Sequence, residues 1–199
     1  TRASGPGPAP LKLFGQKPRA MAVMEHEPFR FYDNRQKYLL FVTTCDEKWV
    51  VAQRVKHEIE HLRPVPPSLG VFDAGMGDGT VLSHVLRNLH AKFLTVPFYV
   101  VGKEISLEDA RMSLDKMADR LFEHPQMVIV VTNLMYREAP WLTLDSGDPA
   151  QINWHEVALK GSTTSKFARG IRDVYPILAD GWQVRNSTKS TNLVYERPS

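Results

Sequence analysis

The chain has 199 residues, a length that predicts one domain with enough sequence to bury a core. Its formal net charge is +3, but residues 1–20 carry four basic side chains and no acidic one, so the remainder has a net charge of −1. A body so close to neutral argues against nucleic acid as a partner. Cys45 is the only cysteine, which excludes an internal disulfide and a cysteine-rich zinc site. We expect no metal site.

Two N-terminal segments precede the first clear strand. Residues 1–24 are rich in proline and glycine, a composition that predicts a flexible tail. Residues 25–68 are richer in aromatic side chains, and Asp46 is placed to cap a helix that ends near Leu62, before Pro64. We therefore expect a helical segment between the tail and the main domain.

The stretch from residue 69 to residue 80 predicts a buried strand, a turn and the start of a helix. The strand ends in Asp73. Three glycines follow at alternate positions: Gly75, Gly77 and Gly79. Glycine permits positive φ and a close approach of the backbone to a ligand. Asp78 is placed to cap the helix, so the turn lies where backbone N–H groups point outward.

Two more strands are predicted downstream. Residues 98–104 form a β-branched and aromatic run that ends in Glu104, after which Ser106 and Asp109 match the capping pattern of a helix. Residues 126–133 form a third apolar run. Alternating strands and helices predict a parallel sheet with right-handed crossovers.

The C-terminal part gives weaker signals. Residues 153–160 alternate enough to predict a fourth strand. Thr163 or Thr164 is placed to cap a helix that Gly181 ends. Residues 183–199 can begin a fifth strand.

The glycine turn carries a resemblance to a known family. The sequence Asp-Ala-Gly-Met-Gly-Asp-Gly-Thr at residues 73–80 resembles the first motif of class I S-adenosylmethionine-dependent methyltransferases. The Glu-Ile-Ser step at residues 104–106 is similar to that of histidine-specific and other small-molecule N-methyltransferases. The resemblance implies a Rossmann-like α/β sheet with helices on both faces over residues 69–199, with its C-terminal strands incomplete. It implies that residues 25–68 form a cap or lid.

The resemblance also implies a cofactor and a reaction. The cofactor is S-adenosylmethionine, and the enzyme transfers its methyl group in line to a small-molecule acceptor. In the family, the glycine loop packs against the methionine and ribose moieties, the acid after the second strand binds the ribose, and a polar residue after the third strand faces the adenine. The implied cofactor-binding residues are Asp73, Gly75, Met76, Gly77, Asp78, Gly79, Glu104, Ile105, Thr132 and Asn133. For the last two, an ordinary role as turn formers remains the alternative.

Candidates for catalysis are fewer. His155 and Glu156 lie on the predicted fourth strand, whose carboxyl end faces the methyl group in the family, although a structural role is the alternative for both. Tyr38 belongs to the implied lid, with Tyr32 and Trp49.

Three other functions stay open. A nucleic-acid or protein methyltransferase would share the core, but the near-neutral body argues against a phosphate backbone. A nicotinamide-dependent oxidoreductase needs the G-x-G-x-x-G spacing that the chain lacks. A non-catalytic cofactor-binding or interaction module would keep the glycine turn without methyl transfer.

The sequence favours a cytoplasmic protein that contacts no membrane. The longest apolar run, residues 127–131, is far shorter than the roughly 20 residues that cross a bilayer. The N-terminus has no apolar segment typical of a signal peptide. The oligomeric state stays open.

Overall fold

A computed structural model describes residues 40–41, 44, 46–145, 147–148, 151–182, 185–186 and 195–196. They all lie within one compact unit, residues 31–199. The predicted tail, Tyr32 and Tyr38 lie outside the described residues.

The secondary structure alternates between helices and strands. In chain order the elements are α1 (Glu47–Ile59), β1 (Leu69–Asp73), α2 (Thr80–Lys92), β2 (Phe98–Lys103), α3 (Leu107–Glu123), β3 (Met127–Thr132), α4 (Thr164–Trp182), β4 (Arg185–Asn186) and β5 (Tyr195–Glu196). The structure confirms the helix predicted after Asp46, although it ends three residues before Leu62.

The first three strands form a parallel sheet in the order β1-β2-β3. In its register, Asp73 at the end of β1 lies beside Gly102 of β2, and Gly102 lies beside Val131 of β3. The predicted parallel order is confirmed. The short strands β4 and β5 pair antiparallel in a second sheet.

One face of the three-stranded sheet carries the core. Leu69, Val71 and Val100 point to this face, where α2 contributes Leu86 and α3 contributes Met117. Neighbouring helices pack side by side, α1 on α2, α2 on α3 and α3 on α4. The apolar stripes of the amphipathic helices α2 and α3 therefore pack on this face of the sheet.

The opposite face corrects the expectation of helices on both faces. Phe72, Tyr99 and Val128 lie there, and their exposed fractions are 40%, 39% and 57%. Both crossovers run in the same direction along the sheet, so right-handedness places α2 and α3 on the same face. The family resemblance implied a second layer of helices, but no helix of the described part of the chain covers this face.

The predicted fourth strand is also wrong. Residues 153–161 belong to no strand, and most of their side chains are exposed. The segment runs alongside α4 instead, with Leu159 beside Gly170 and His155 beside Gly181. Alternation of apolar residues specifies a strand only when a partner strand is available, and the contacts of this segment are with a helix.

Two predicted helix boundaries need smaller corrections. Gly79, not Asp78, is the N-cap residue of α2, with a left-handed φ of 74°. Thr163 does accept a hydrogen bond from the Lys166 N–H, as a cap of α4 should, but the helix continues through Gly181 to Trp182. Among the described helices, none combines the length and the hydropathy that a membrane-spanning helix requires.

Candidate functional site

The candidate site lies where β1 and β2 end. We call residues 73–80 together with Glu104 the glycine corner. Asp73 is the last residue of β1, and Glu104 directly follows β2. Because adjacent parallel strands end at the same edge of a sheet, the two carboxylates and the glycine loop share one edge.

The three glycines of the loop have different structural roles. Gly77 and Gly79 have positive φ values of 51° and 74°. A Cβ at Gly79 would stand 2.7 Å from the Cα of Ser113, so α3 leaves no room for a side chain there. Added Cβ atoms at Gly75 and Gly77 would meet nothing within 4 Å. The loop is thus packed against α3 at Gly79 and open at Gly75 and Gly77.

Met76 points into the protein from the same loop. Its side chain is buried, it lies against Gly102 of β2, and its sulfur accepts a hydrogen bond from Ser113 Oγ at 3.4 Å. The Met76 N–H also donates to the Lys103 carbonyl at 3.1 Å. The Met76 carbonyl accepts a hydrogen bond from the Gly79 N–H at 2.8 Å. Met76 therefore anchors the loop to the protein through its side chain and both of its backbone groups.

Glu104 fastens the loop to the end of β2. Its Oε2 accepts a hydrogen bond from the Gly77 N–H at 2.9 Å, and its Oε1 accepts from the N–H groups of Ile105 and Ser106 at 2.7 and 2.9 Å. The residue is buried. Because a carboxylate has about four acceptor positions, three are already engaged.

Asp73 is less constrained. Its Oδ1 accepts a hydrogen bond from the Gly75 N–H at 3.2 Å, and the side chain is half-buried. Burial raises the pKa of Asp73 above its usual value, the Gly75 N–H partly offsets this effect, and the nearby charge of Glu104 adds to it. A cationic group placed between the two carboxylates would relieve this repulsion.

Asp78 faces two lysines from neighbouring helices. Its Oδ1 lies 2.7 Å from Lys48 Nζ of α1, and its Oδ2 lies 3.1 Å from Lys116 Nζ of α3. Thr80 donates to the same carboxylate through its N–H and its hydroxyl. Burial alone would raise the pKa of Asp78, but the hydrogen bonds from Lys48, Thr80 and Lys116 lower it far below its usual range.

The residues after β3 make structural contacts. Thr132 Oγ1 accepts a hydrogen bond from the Leu134 N–H at 3.1 Å, which is the contact of a turn former. Asn133 donates through Nδ2 to the Trp182 carbonyl at 2.7 Å. Trp182 in turn donates through Nε1 to the Ile105 carbonyl at 2.8 Å. Asn133 and Ile105 thus connect α4 to the sheet edge, whereas Thr132 holds the turn that follows β3.

The catalytic candidates do not join the glycine corner. His155 and Glu156 are exposed on the segment that runs alongside α4. They line an open cleft that also borders β3. Tyr38 lies outside the described residues. The structure therefore brings together Asp73, the glycine loop and Glu104, whereas His155 and Glu156 line the cleft together with Ile105, Thr132 and Asn133.

The sequence analysis missed the residues that support the corner from other helices. Lys48 and Lys116 lie 30 and 38 positions from Asp78, and no local pattern marks either one. Ser113 had a signal, since a small side chain occurs there between Ala110 and Met117 on the buried stripe of α3. A small residue on a buried stripe indicates a close approach by another backbone.

The described part of the chain contains no cluster of three histidine, cysteine or acidic side chains that could hold a metal ion. Comparison with known protein families, curated proteins and solved structures gives no match to this chain.

Proposed function

We propose that the chain binds S-adenosylmethionine at the glycine corner and transfers the methyl group to a small-molecule acceptor. One observation carries the proposal: Asp73 and Glu104 stand at the ends of adjacent parallel strands, beside a loop that is open at Gly75 and Gly77. Acceptors for hydroxyl groups and an open stretch of backbone are what a nucleoside requires at this edge of a sheet.

The charges favour a cationic ligand. Two carboxylates near one loop would repel a pyrophosphate, whereas the raised pKa of Asp73 indicates that a positive charge beside it would be stabilising. S-adenosylmethionine carries positive charge on its sulfur and its amino group. A nucleotide with a pyrophosphate has the opposite charge and fits this corner less well.

The acceptor positions of Glu104 limit how the ribose binds. With three N–H groups already on the carboxylate, one ribose hydroxyl can bind the remaining position on Oε2. A second hydroxyl must use Asp73 or displace the Gly77 N–H. Ligand binding and the conformation of the loop are therefore connected at Gly77.

Methyl transfer from S-adenosylmethionine requires few catalytic groups from the protein. S-adenosylmethionine supplies a methyl group on a positively charged sulfur, which the acceptor displaces in one step. The chain has to orient the two reactants and exclude water, and this positioning can provide much of the rate enhancement. A glycine corner that can bind the cofactor, without an assigned general base, is consistent with such a reaction.

The acceptor and compartment follow from charge and cysteine content. The net charge of −1 beyond residue 20 supports a small acceptor over a nucleic acid. A single cysteine supports a reducing compartment, and we place the activity in the cytoplasm.

A non-catalytic binding or interaction module is the second candidate. Its supporting observation is that Asp78 and Glu104 already bind groups of the protein, through two lysines and three backbone N–H groups. A corner held by its own contacts can serve as a rigid structural element. Methyl transfer in a single turnover would distinguish the enzyme from this module.

Calorimetric titration with S-adenosylmethionine and its demethylated product tests the proposal, with NAD as the control ligand. We expect both sulfur nucleosides to bind and NAD not to bind. Glu104→Gln should weaken binding by about 10- to 100-fold, the loss expected for hydrogen bonds to a charged group. Glu58→Gln, at an exposed position of α1, is the matched control and should bind as the wild type does.

Thermal unfolding of both variants must accompany the titration, since Glu104 also holds the loop. Weakened binding by a folded Glu104→Gln protein supports the assignment. Equal binding by that variant and the wild type would remove Glu104 from the site, and no binding of either sulfur nucleoside to the wild type would overturn the proposed function.

A further inference from the structure

Asp78 joins three elements that are distant in sequence. Lys48 of α1 contacts one oxygen of its carboxylate at 2.7 Å, and Lys116 of α3 contacts the other at 3.1 Å. Lys116 also donates to the Asp78 backbone carbonyl at 2.7 Å. The glycine loop is therefore attached to two helices through one residue.

The position of Asp78 in the loop gives these contacts their importance. Asp78 lies between Gly77 and Gly79, the two residues of the loop with positive φ. Glycine peptides sample many conformations, and fixing one of them costs conformational entropy. Contacts on both the side chain and the carbonyl of Asp78 hold the peptide between the two glycines in one conformation.

The two ion pairs are partly shielded from water. The exposed fractions of the side chains are 18% for Asp78, 22% for Lys48 and 37% for Lys116. Ion pairs on an open surface contribute little because water screens them. The shielding here, with the hydrogen bonds from Thr80, makes Asp78 a stronger attachment point than the exposed Arg54–Glu58 pair of α1.

Among the described residues, Lys48 makes the polar side-chain contact between the beginning of α1 and the glycine loop. The buried residues of that helix are Ala52 and Ile59, in its middle and at its end, whereas Trp49 and Val50 have exposed fractions of 57% and 56%. The beginning of α1 thus has little apolar burial to keep it in place. The contact between Lys48 and Asp78 therefore adds a polar attachment at this end of the helix.

We propose that Lys48 and Lys116 are positioning residues: by sharing Asp78 they hold the Gly77–Gly79 turn in the conformation that receives the ligand, and Lys48 makes the docking of α1 depend on that turn. The ligand is the one named in the proposed function, on which this inference rests. Because coupling between sites is reciprocal, a ligand that stabilises the turn also stabilises α1. The docking of α1 is then regulated by cofactor binding.

Hydrogen exchange without any ligand tests the coupling independently of the proposed function. We compare wild type with Lys48→Met, Lys48→Arg and the matched control Arg54→Met on the same helix. Lys48→Met should increase exchange about fivefold at the amides of α1 and also at those of Gly77, Gly79 and Thr80. Lys48→Arg should restore protection, because the positive charge is kept, and Arg54→Met should exchange as the wild type does.

Affinity for S-adenosylmethionine tests whether the two lysines hold the turn in the conformation that binds the ligand. Lys48→Met and Lys116→Met should each weaken binding about fivefold, and the ligand should protect α1 in the wild type by the same factor. That protection should disappear in Lys48→Met.

The outcomes are distinct. Increased exchange confined to α1, with the loop unchanged, would overturn the coupling and reduce Lys48 to a docking contact. The same effect in Arg54→Met would overturn the role of Asp78. If Lys48→Met increases exchange at both the loop and α1 while the wild type binds no S-adenosylmethionine, the positioning of the turn is supported and only the proposed function is contradicted.

Discussion

The glycine corner and the C-terminal arm, residues 151–182, reach the same edge of the sheet but are held there differently. In the corner, groups from α1, α3 and β2 converge on the loop through Asp78, Met76 and Glu104. The arm reaches the sheet edge through hydrogen bonds of Trp182, and residues 153–158 are exposed. Because the loop packs against several elements at once, a change in the corner should cost more stability than a change in the exposed residues 153–158 of the arm. Helix α4 of the arm is itself held in the core by Phe167 and Ile171.

Substitution at Gly79 should show the largest effect. Gly79→Ala introduces a Cβ where the Cα of Ser113 is only 2.7 Å away, at a residue with φ of 74°. We expect a loss of about 3 kcal/mol in the free energy of unfolding, from overpacking and an unfavourable backbone conformation. Urea denaturation measures it. Gly75→Ala is the control, since its Cβ meets nothing within 4 Å, and should change stability by less than about 0.5 kcal/mol. Equal losses in the two variants would mean that Gly79 is not packed against α3.

The sequence predicted the corner better than the arm, and the reason is the range of the interactions. The strand ending in Asp73, the three glycines and the Ser106 cap are local patterns, and each one appears in the structure. Residues 153–160 show alternation, but whether they pair depends on where a partner strand lies, which no local pattern encodes.

The contacts of the site were harder to predict than the fold. Asp78 and Glu104 were predicted to face a ligand, and the structure shows them holding lysines and backbone N–H groups. Lys48 lies 30 positions from its partner and belongs to a helix whose amphipathic pattern explains it as an ordinary surface residue. Acids beside a glycine turn can therefore be predicted, but their partners cannot.

An intermediate effect on stability is expected at Trp182 of the arm, which contacts Ile105 next to the glycine corner. Trp182→Phe keeps most of the buried ring but removes the hydrogen bond to the Ile105 carbonyl, and we expect a loss of about 1–2 kcal/mol in the free energy of unfolding. Trp154→Phe is the control because the Trp154 side chain is exposed, and its effect should stay near zero. Denaturation of both variants gives the two values. If the Trp154 variant loses more than the Trp182 variant, the exposed segment contributes more to stability than the described contacts indicate.

The smallest expected effect on stability concerns His124, a buried histidine beside the sheet. The exposed His155 of the arm serves as its control. His124, which follows α3, has its ring stacked on Phe98 with centroids 4.0 Å apart. Its Nε2 lies 2.8 Å from the Val96 carbonyl and therefore donates to it, while its Nδ1 is buried and has no partner among the described groups. Burial lowers the pKa of His124, the Val96 carbonyl partly opposes this, and nearby His90 lowers it further.

This lowered pKa predicts how stability depends on pH. The unfolded chain takes up the proton near the usual histidine pKa of about 6.5, before the folded protein does, so the free energy of unfolding should fall as pH decreases below that value. One proton limits the slope to about 1.4 kcal/mol per pH unit. His124→Gln should remove this contribution in denaturation measured between about pH 5 and pH 7, whereas His155→Gln, at an exposed position, should keep it. If instead the His124 variant kept the wild-type slope, the dependence would come from other groups, and the packing around the buried ring would have no cost for its protonation.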